Sequence, residues 1–257
     1  MKKSYIILAL VILLSFVVGA LLYPAMPPYM ASHWGLKGEV NGYAPKFWGL
    51  FLMPLLSIAM IILFMLVPKL DPLGKNIDEF RQHYDTFVAL IISFLFYIHI
   101  ISIFWNLGAD FDMNQLLSPA IAILFFYCGI LLYHAKRNWT VGIRTSWTLS
   151  SDYVWNRTHQ LGGMLFTLSG VICLLGVILP PYATIFIMAP IISATIILVL
   201  YSYLLYRQEQ DAKSQAIPAS PPKPGRQAQK KRAKPKKSPS EKRARPKQPS
   251  KKQKRKR

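Results

Sequence analysis

Six long apolar runs constrain what this chain can fold into more than any other feature of its sequence. Each run is close to the ~20 residues of helix that cross a bilayer. Strands of a membrane barrel alternate apolar and polar residues, and these runs do not, so the pattern predicts an all-α integral membrane protein. The six predicted transmembrane helices cover Tyr5–Leu22, Phe47–Val67, Asp85–Leu107, Leu116–His134, Leu161–Leu179 and Tyr182–Tyr206.

Basic residues are distributed unequally over the connections between these runs, which predicts the orientation of the chain. With the N-terminus inside the cell, the outside connections carry only Lys37 and Lys46. The inside segments then carry Lys2, Lys3, Lys69, Lys75, Arg81, Lys136, Arg137, Arg144, Arg157 and Arg207. We therefore expect a multi-pass plasma-membrane protein with both termini cytoplasmic. We expect the first run to be retained as a helix rather than removed as a signal peptide.

The C-terminal segment 212–257 differs in composition from the rest of the chain. It holds 19 of the 31 Lys and Arg residues and one acidic residue, Glu241. It has no aromatic residue and almost no large aliphatic one, so we expect a disordered polybasic tail that cannot stack on bases. Anionic lipid at the cytoplasmic surface is the favoured partner of this charge. Non-specific binding of nucleic acid is the alternative.

Few side chains in the apolar runs carry reactive groups. Cys128 and Cys173 are expected to pack as small hydrophobic residues, and they predict neither a metal site nor a cofactor. His99 is the one ionisable side chain deep within a run, so a small transporter or lipid-handling protein is an alternative function. A neutral His99 that bonds a group on a neighbouring helix is the simpler explanation of this residue.

The first outside connection is rich in proline, glycine and aromatic residues. The Asn41-Gly42 pair favours a tight hairpin turn. Tryptophan and tyrosine are typical of the membrane interface. The connection is therefore either an ordered interfacial connector or a surface that meets something outside the cell. Its candidate contact residues are His33, Trp34, Gly42, Tyr43 and Lys46.

The polar segment between the fourth and fifth runs is the strongest candidate for a functional site. Ser150 or Ser151 can cap a helix whose first turn contains Asp152. On that helix Trp155 and His159 share a face with Gly162 and Gly163 further along. We expect this helical segment to lie along the inner membrane interface before the chain turns into the fifth span.

The same segment contains residue types that occur in catalytic and anion-binding sites. Ser150, Asp152 and His159 are the types of a hydrolase triad, but no G-x-S-x-G turn surrounds the serine. We therefore predict that the protein is not an enzyme. Arg144 beside a capped helix start is an alternative site for an anion such as a lipid headgroup.

The stretch GIRTSWTLSSDYVWNRTHQLGG resembles the signature of the SdpI family of bacterial membrane proteins. That signature reads approximately N-x-x-x-G-[IL]-R-T-P-W-T-L and, after a short gap, W-x-x-T-H-x-x-G-G. Ser146 stands where proline is usual, which loosens the loop. The matching residues are Asn138, Gly142, Ile143, Arg144, Thr145, Trp147, Thr148, Leu149, Trp155, Thr158, His159, Gly162 and Gly163.

The outside connection resembles a second family segment, the DUF1648-like region often found ahead of the SdpI signature. Its matching residues are Pro24, Pro28, His33, Trp34, Gly38, Gly42, Tyr43 and Lys46. The two resemblances together predict a DUF1648-like segment over residues 1–67 and an SdpI-like four-helix region over 68–211. The signature loop would occupy 135–160 and face the cytoplasm, and the basic tail would occupy 212–257.

The resemblance implies immunity to a membrane-active toxic peptide, signalling through a cytoplasmic partner such as a repressor, or both. The outer loop would sense or block the secreted peptide, and the inner loop would hold the partner. Arg144 and Trp147 are the expected contacts, with glycines supplying backbone freedom and close packing. A membrane scaffold that acts through its polybasic tail is a further alternative. The predicted partner-binding residues are Asn138, Gly142, Arg144, Thr145, Trp147, Thr148, Trp155, Thr158, His159, Gly162 and Gly163.

Overall fold

The computed structural model describes residues 2–216, so most of the predicted tail, residues 217–257, lies outside the described part of the chain. Within that part, six helices are long and apolar enough to cross a membrane, which confirms the predicted helical membrane architecture. The long helices are α1 (Lys2–Leu22), α2 (Lys46–Leu70), α4 (Arg81–Asn106), α5 (Met113–His134), α7 (Asp152–Cys173) and α9 (Ala183–Ala216). The shorter elements are β1 (Tyr29–Trp34), β2 (Val40–Pro45), α3 (Gly74–Glu79), α6 (Ser146–Ser150) and α8 (Leu175–Ile178).

The backbones of α5 and α7 lie very close to each other. Cβ atoms added at Gly163 and Gly170 would lie 3.0 Å from the Gly129 carbonyl oxygen and 2.6 Å from the Phe126 nitrogen, respectively. Neither position could accept a side chain without separating the two helices. Small residues allow this kind of contact between membrane helices, where packing rather than water exclusion drives association.

One end of the bundle, called the outer end below, is closed by the β1–β2 hairpin. The Asn106 side chain at the end of α4 brackets Ala31, accepting from its N–H at 2.7 Å and donating to its carbonyl at 3.1 Å. Asn114 of α5 donates to the Leu36 carbonyl, and Thr184 of α9 donates to the same oxygen at 2.9 Å. The hairpin is therefore tied to three of the long helices.

The hairpin turn does not lie where the sequence predicted it. Asn41 and Gly42 lie within β2, and Gly42 pairs with His33. The chain reverses over residues 35–39, where the Gly35 N–H donates to the Glu39 carbonyl at 2.7 Å and Gly38 has a φ of 81°. Two features favour this longer turn. Gly38 occupies a left-handed backbone conformation without steric cost, and the Glu39 carboxylate accepts a hydrogen bond from the Lys37 N–H.

Two other boundaries differ from the prediction. The fifth span begins at Asp152, because α7 runs without a break through the segment that we expected to lie along the interface. Helix α9 continues to Ala216 and so includes the first residues of the predicted tail. A Lys213–Glu209 pair at 2.7 Å, one helical turn apart, supports that extension.

Candidate functional site: the signature loop

The signature loop, residues 135–151, connects α5 to α7 at the end of the bundle opposite the hairpin, called the inner end below. The connection between α2 and α4, residues 71–80, lies at the same end and includes α3. Because α5 and α7 are held at close distance, the loop must fold back over their ends. Its backbone groups need partners there, since they are shielded from bulk water.

Asn138 is the central residue of the loop. Its side chain is fully buried and donates to the carbonyls of Lys136 and Val141 at 2.8 and 2.9 Å. Its amide oxygen accepts the N–H groups of Thr140 and Val141 at 2.9 and 2.5 Å. One buried amide therefore satisfies four backbone groups and fixes the turn that follows it.

Asp71 and Asn76 hold the loop from the neighbouring connection, and the sequence interpretation missed both. The buried Asp71 carboxylate accepts the Trp139 N–H at 2.9 Å, the Thr140 hydroxyl at 2.7 Å and the Leu73 N–H at 2.7 Å. Asn76 donates to the Arg137 carbonyl at 2.6 Å. The Asp71-Pro72 pair signals a turn, but no local pattern predicts that its carboxylate reaches a segment almost 70 positions away.

His159 joins the loop to α7. Its Nε2 accepts the Ile143 N–H at 3.0 Å, so its proton must be on Nδ1, which donates to the Trp155 carbonyl at 2.9 Å. The imidazole is therefore neutral and bonded on both sides. It stacks on the Trp155 ring with centroids 3.9 Å apart, and the Trp155 indole donates to the Ala135 carbonyl at 2.8 Å. This arrangement supports the backbone of the loop and joins it to α7.

Two glycines make room for these contacts. Gly142 has a φ of 114°, and a Cβ added there would overlap the His159 Nε2. A Cβ added at Gly162 would lie 2.6 Å from the Ile143 Cδ1. Gly142 is needed for its backbone conformation and for its close approach to His159, whereas a side chain at Gly162 would meet the flexible end of Ile143.

Threonine and serine side chains cap both helical segments that follow. Thr145 and Thr148 form a reciprocal capping box on α6, and the Thr148 hydroxyl also donates to the Ile143 carbonyl at 2.8 Å. Ser151 caps α7 by accepting the Val154 N–H at 3.3 Å, as one of the two predicted alternatives had it. Thr158 is also fully buried, so it faces the protein interior.

The signature loop leaves several side chains exposed, including those of Lys136, Trp139, Arg144, Ser146 and Ser150. Arg144 is exposed, and one of its guanidinium nitrogens donates to the Trp139 carbonyl at 2.7 Å. The Trp139 ring is 53% exposed, and Trp147 is half-buried against Tyr203 at 5.2 Å between ring centroids. We call Trp139, Arg144 and Trp147 the inner contact face. Trp139 was absent from the predicted contacts, although an aromatic residue in an interfacial loop is a usable signal.

Most of the predicted outer-loop residues make contacts within the hairpin or with the aromatic residues beside it. His33 bonds the Asn41 side chain, and Trp34 packs edge-on against Trp105 at 5.7 Å between centroids. The Lys46 ammonium lies 4.4 Å from the centre of the Tyr23 ring. Tyr43 is 64% exposed.

The remaining candidates are positioned as structural residues. The buried His99 bonds the Ser15 carbonyl across α1 and α4 at 3.2 Å. Cys128 and Cys173 are free thiols. Within the described residues, no group of three or more His, Cys, Asp or Glu side chains is arranged to hold a metal ion.

Six apolar helices, an outer hairpin and a bonded inner loop define a multi-pass helical membrane protein. Residues 134–202 match the SdpI/YfhL protein family, and residues 10–58 match a domain of unknown function, DUF1648. Over residues 134–202 the chain is therefore similar to the SdpI/YfhL family. It is 22% identical to the immunity protein SdpI of Bacillus subtilis (strain 168) over 209 residues, which cover 81% of this chain and 98% of that protein. No solved structure matches the chain.

Replacing Gly142 by alanine should destabilise the protein more than replacing Gly108. Gly142 and Gly108 have positive φ angles of 114° and 97°, so alanine at either position is destabilised by the same kind of backbone strain. Only Gly142→Ala must displace His159, because nothing lies within 4 Å of a Cβ at Gly108. We expect an additional loss of about 1–3 kcal/mol from the broken His159–Ile143 bond. Melting temperatures of the two variants in detergent measure the difference, and equal losses would contradict this role of Gly142.

Replacing Asp71 by alanine should loosen the signature loop without unfolding the bundle. The change removes the acceptor of the Trp139 N–H, and hydrogen bonds to a charged group contribute about 1.5–3 kcal/mol. Hydrogen–deuterium exchange over residues 136–142 should become about tenfold faster. Asp78→Ala is the matched control, since that carboxylate is 67% exposed and makes only a 3.7 Å pair with Arg81. An unchanged exchange rate in Asp71→Ala would show that the Asp71 carboxylate does not hold the signature loop in place.

Proposed function

We propose that this protein gives its cell immunity to a membrane-active toxic peptide. The observation that carries the proposal is the similarity to an immunity protein along 98% of that protein's length, with the signature loop included. The two proteins are 22% identical over the 209 aligned residues. The part of the chain that matches the SdpI/YfhL family includes the signature loop, residues 135–151.

We also propose that the inner end faces the cytoplasm. The inner end carries Lys69, Lys75 and Lys136 together with several arginines, whereas the outer end carries Lys37 and Lys46. An excess of basic residues on the cytoplasmic side is the general rule for short membrane connections. In this orientation the hairpin meets the peptide from outside, and the inner contact face meets the cell interior.

The inner contact face is suited to a cytoplasmic protein partner. The Arg144 guanidinium uses one nitrogen to bond the Trp139 carbonyl, which holds the group in place and leaves its other donors for a carboxylate. Tryptophan and arginine are the residues that contribute most often to binding energy at protein interfaces. A repressor or another signalling protein that presents an acidic group beside an apolar surface would fit this face.

The proposal explains why most signature residues are buried. Asn138, Thr148, Trp155 and His159 hold the loop in one conformation and expose little surface of their own. A preorganised loop loses less conformational entropy when it binds a partner. Signature residues such as these would then affect immunity through the shape of the loop, while Arg144 would act by contact.

Cysteine labelling tests the orientation. In a background with Cys128 and Cys173 replaced by alanine, Ser150→Cys should react with a membrane-impermeant maleimide only after the cells are permeabilised. Lys37→Cys in the hairpin turn should react in intact cells, because residues 35–39 lie at the opposite end of the bundle. Labelling of Ser150→Cys in intact cells would refute both the orientation and a cytoplasmic partner.

A survival assay tests immunity and the role of Arg144. The chain replaces the immunity protein in Bacillus subtilis cells that are exposed to the toxin against which that protein protects. The parent chain should restore survival, and Arg144→Ala should reduce it by about tenfold, the effect of losing one charged hydrogen bond. Arg157→Ala is the control, since that exposed arginine stacks on Tyr153, 5.9 Å from its ring centre. No survival of the parent at equal membrane abundance would refute immunity, and equal survival of both variants would exclude Arg144.

A further inference from the structure

An aromatic pocket opens at the outer end between the hairpin and the connection from α4 to α5. Its volume is about 420 Å³. Tyr29 and Tyr43, which are 66% and 64% exposed, contribute one side. Trp105 and Asp110 contribute to the other side. The complete lining is Pro27, Tyr29, Tyr43, Trp105, Asn106, Gly108, Ala109 and Asp110.

The walls of this pocket are held in place by buried contacts. Asn106 bonds both backbone groups of Ala31, which pairs with Tyr43 across the hairpin. The Trp105 ring meets Trp34 edge-on at 5.7 Å between centroids. The pocket therefore does not depend on a flexible loop to bring the tyrosines and the tryptophan together.

The chemistry of the lining favours a positively charged group. Aromatic faces attract ammonium and guanidinium groups, and a carboxylate at the rim adds a counter-charge. Asp110 is available for this role, because no described residue bonds its side chain, whereas Asp112 caps α5 by accepting the Gln115 N–H at 2.9 Å. The same end already shows this interaction, since Lys46 lies over the Tyr23 ring.

The residues that line the pocket also favour a peptide over a lipid headgroup as the molecule that carries the positively charged group. The lining contains one acid and no lysine or arginine. A lipid headgroup with an ammonium group carries a phosphate as well, and no lining residue offers that phosphate a positive charge. A lysine side chain or the amino terminus of a peptide presents a cation without an attached anion. The pocket is therefore better matched to a peptide than to a lipid.

We propose that this pocket, built from Tyr29, Tyr43, Trp105 and Asp110, binds an ammonium group of a peptide that approaches from outside the cell. The pocket gives the outer surface a contact point for a cationic residue. The approach from outside the cell and the identity of the peptide as the toxin rest on the proposed function, whereas the ammonium site itself does not.

Saturation-transfer NMR on the full chain in an uncharged maltoside detergent tests the pocket directly. The probe is Nα-acetyl-lysine amide, and Nα-acetyl-norleucine amide is its uncharged counterpart. We expect binding of the lysine compound, with saturation transferred to its ε-methylene protons, and much weaker binding of the norleucine compound. Asp110→Asn and Tyr43→Leu should each weaken lysine binding by about threefold or more.

The same NMR measurement on other variants and compounds provides the controls. Both positions are exposed, so the variants should fold, and Asp78→Asn at the inner end should bind like the parent. Equal binding of the norleucine compound, or unchanged binding by Asp110→Asn, would overturn the ammonium site. Binding of glycerophosphoethanolamine without the lysine compound would overturn the peptide as its carrier. The measurement uses neither toxin nor cells, so its failure is separate from a failure of immunity.

Discussion

The close approach of α5 and α7 is the constraint on which the rest of the structure depends. Gly129, Gly163 and Gly170 bring the two backbones within contact distance, where a larger side chain would have no room. The ends of the signature loop are thereby fixed, so the loop must close over the two helices. Its backbone groups then need partners from its own side chains and from the neighbouring connection.

Several residues of the signature therefore stabilise the fold of the loop. Asn138 satisfies four backbone groups, and a neutral His159 joins the loop to α7. Asp71 adds a third anchor from a segment outside the signature. Buried polar groups that are bonded favour one conformation, since an alternative would leave them without partners. The side chains that remain exposed for contacts include those of Lys136, Trp139 and Arg144.

The two ends of the bundle offer different chemistry to their surroundings. The outer end presents tyrosines, a tryptophan and the Asp110 carboxylate around a pocket. The inner end presents an arginine beside two tryptophans. Between the two ends, the buried His99 bonds the Ser15 carbonyl and so joins α4 to α1.

The sequence by itself determined the six membrane helices, because their length and lack of polar residues leave no other structure that satisfies the backbone within a bilayer. It also limited the cap of α7 to Ser150 or Ser151, and helical spacing predicted that Trp155 and His159 share a face; the structure selects Ser151 and buries that face. Only the tertiary structure decided the continuous start of α7, the position of the hairpin turn and the role of Asp71. These features depend on contacts between residues far apart in the chain, and such contacts leave no periodic pattern in the sequence.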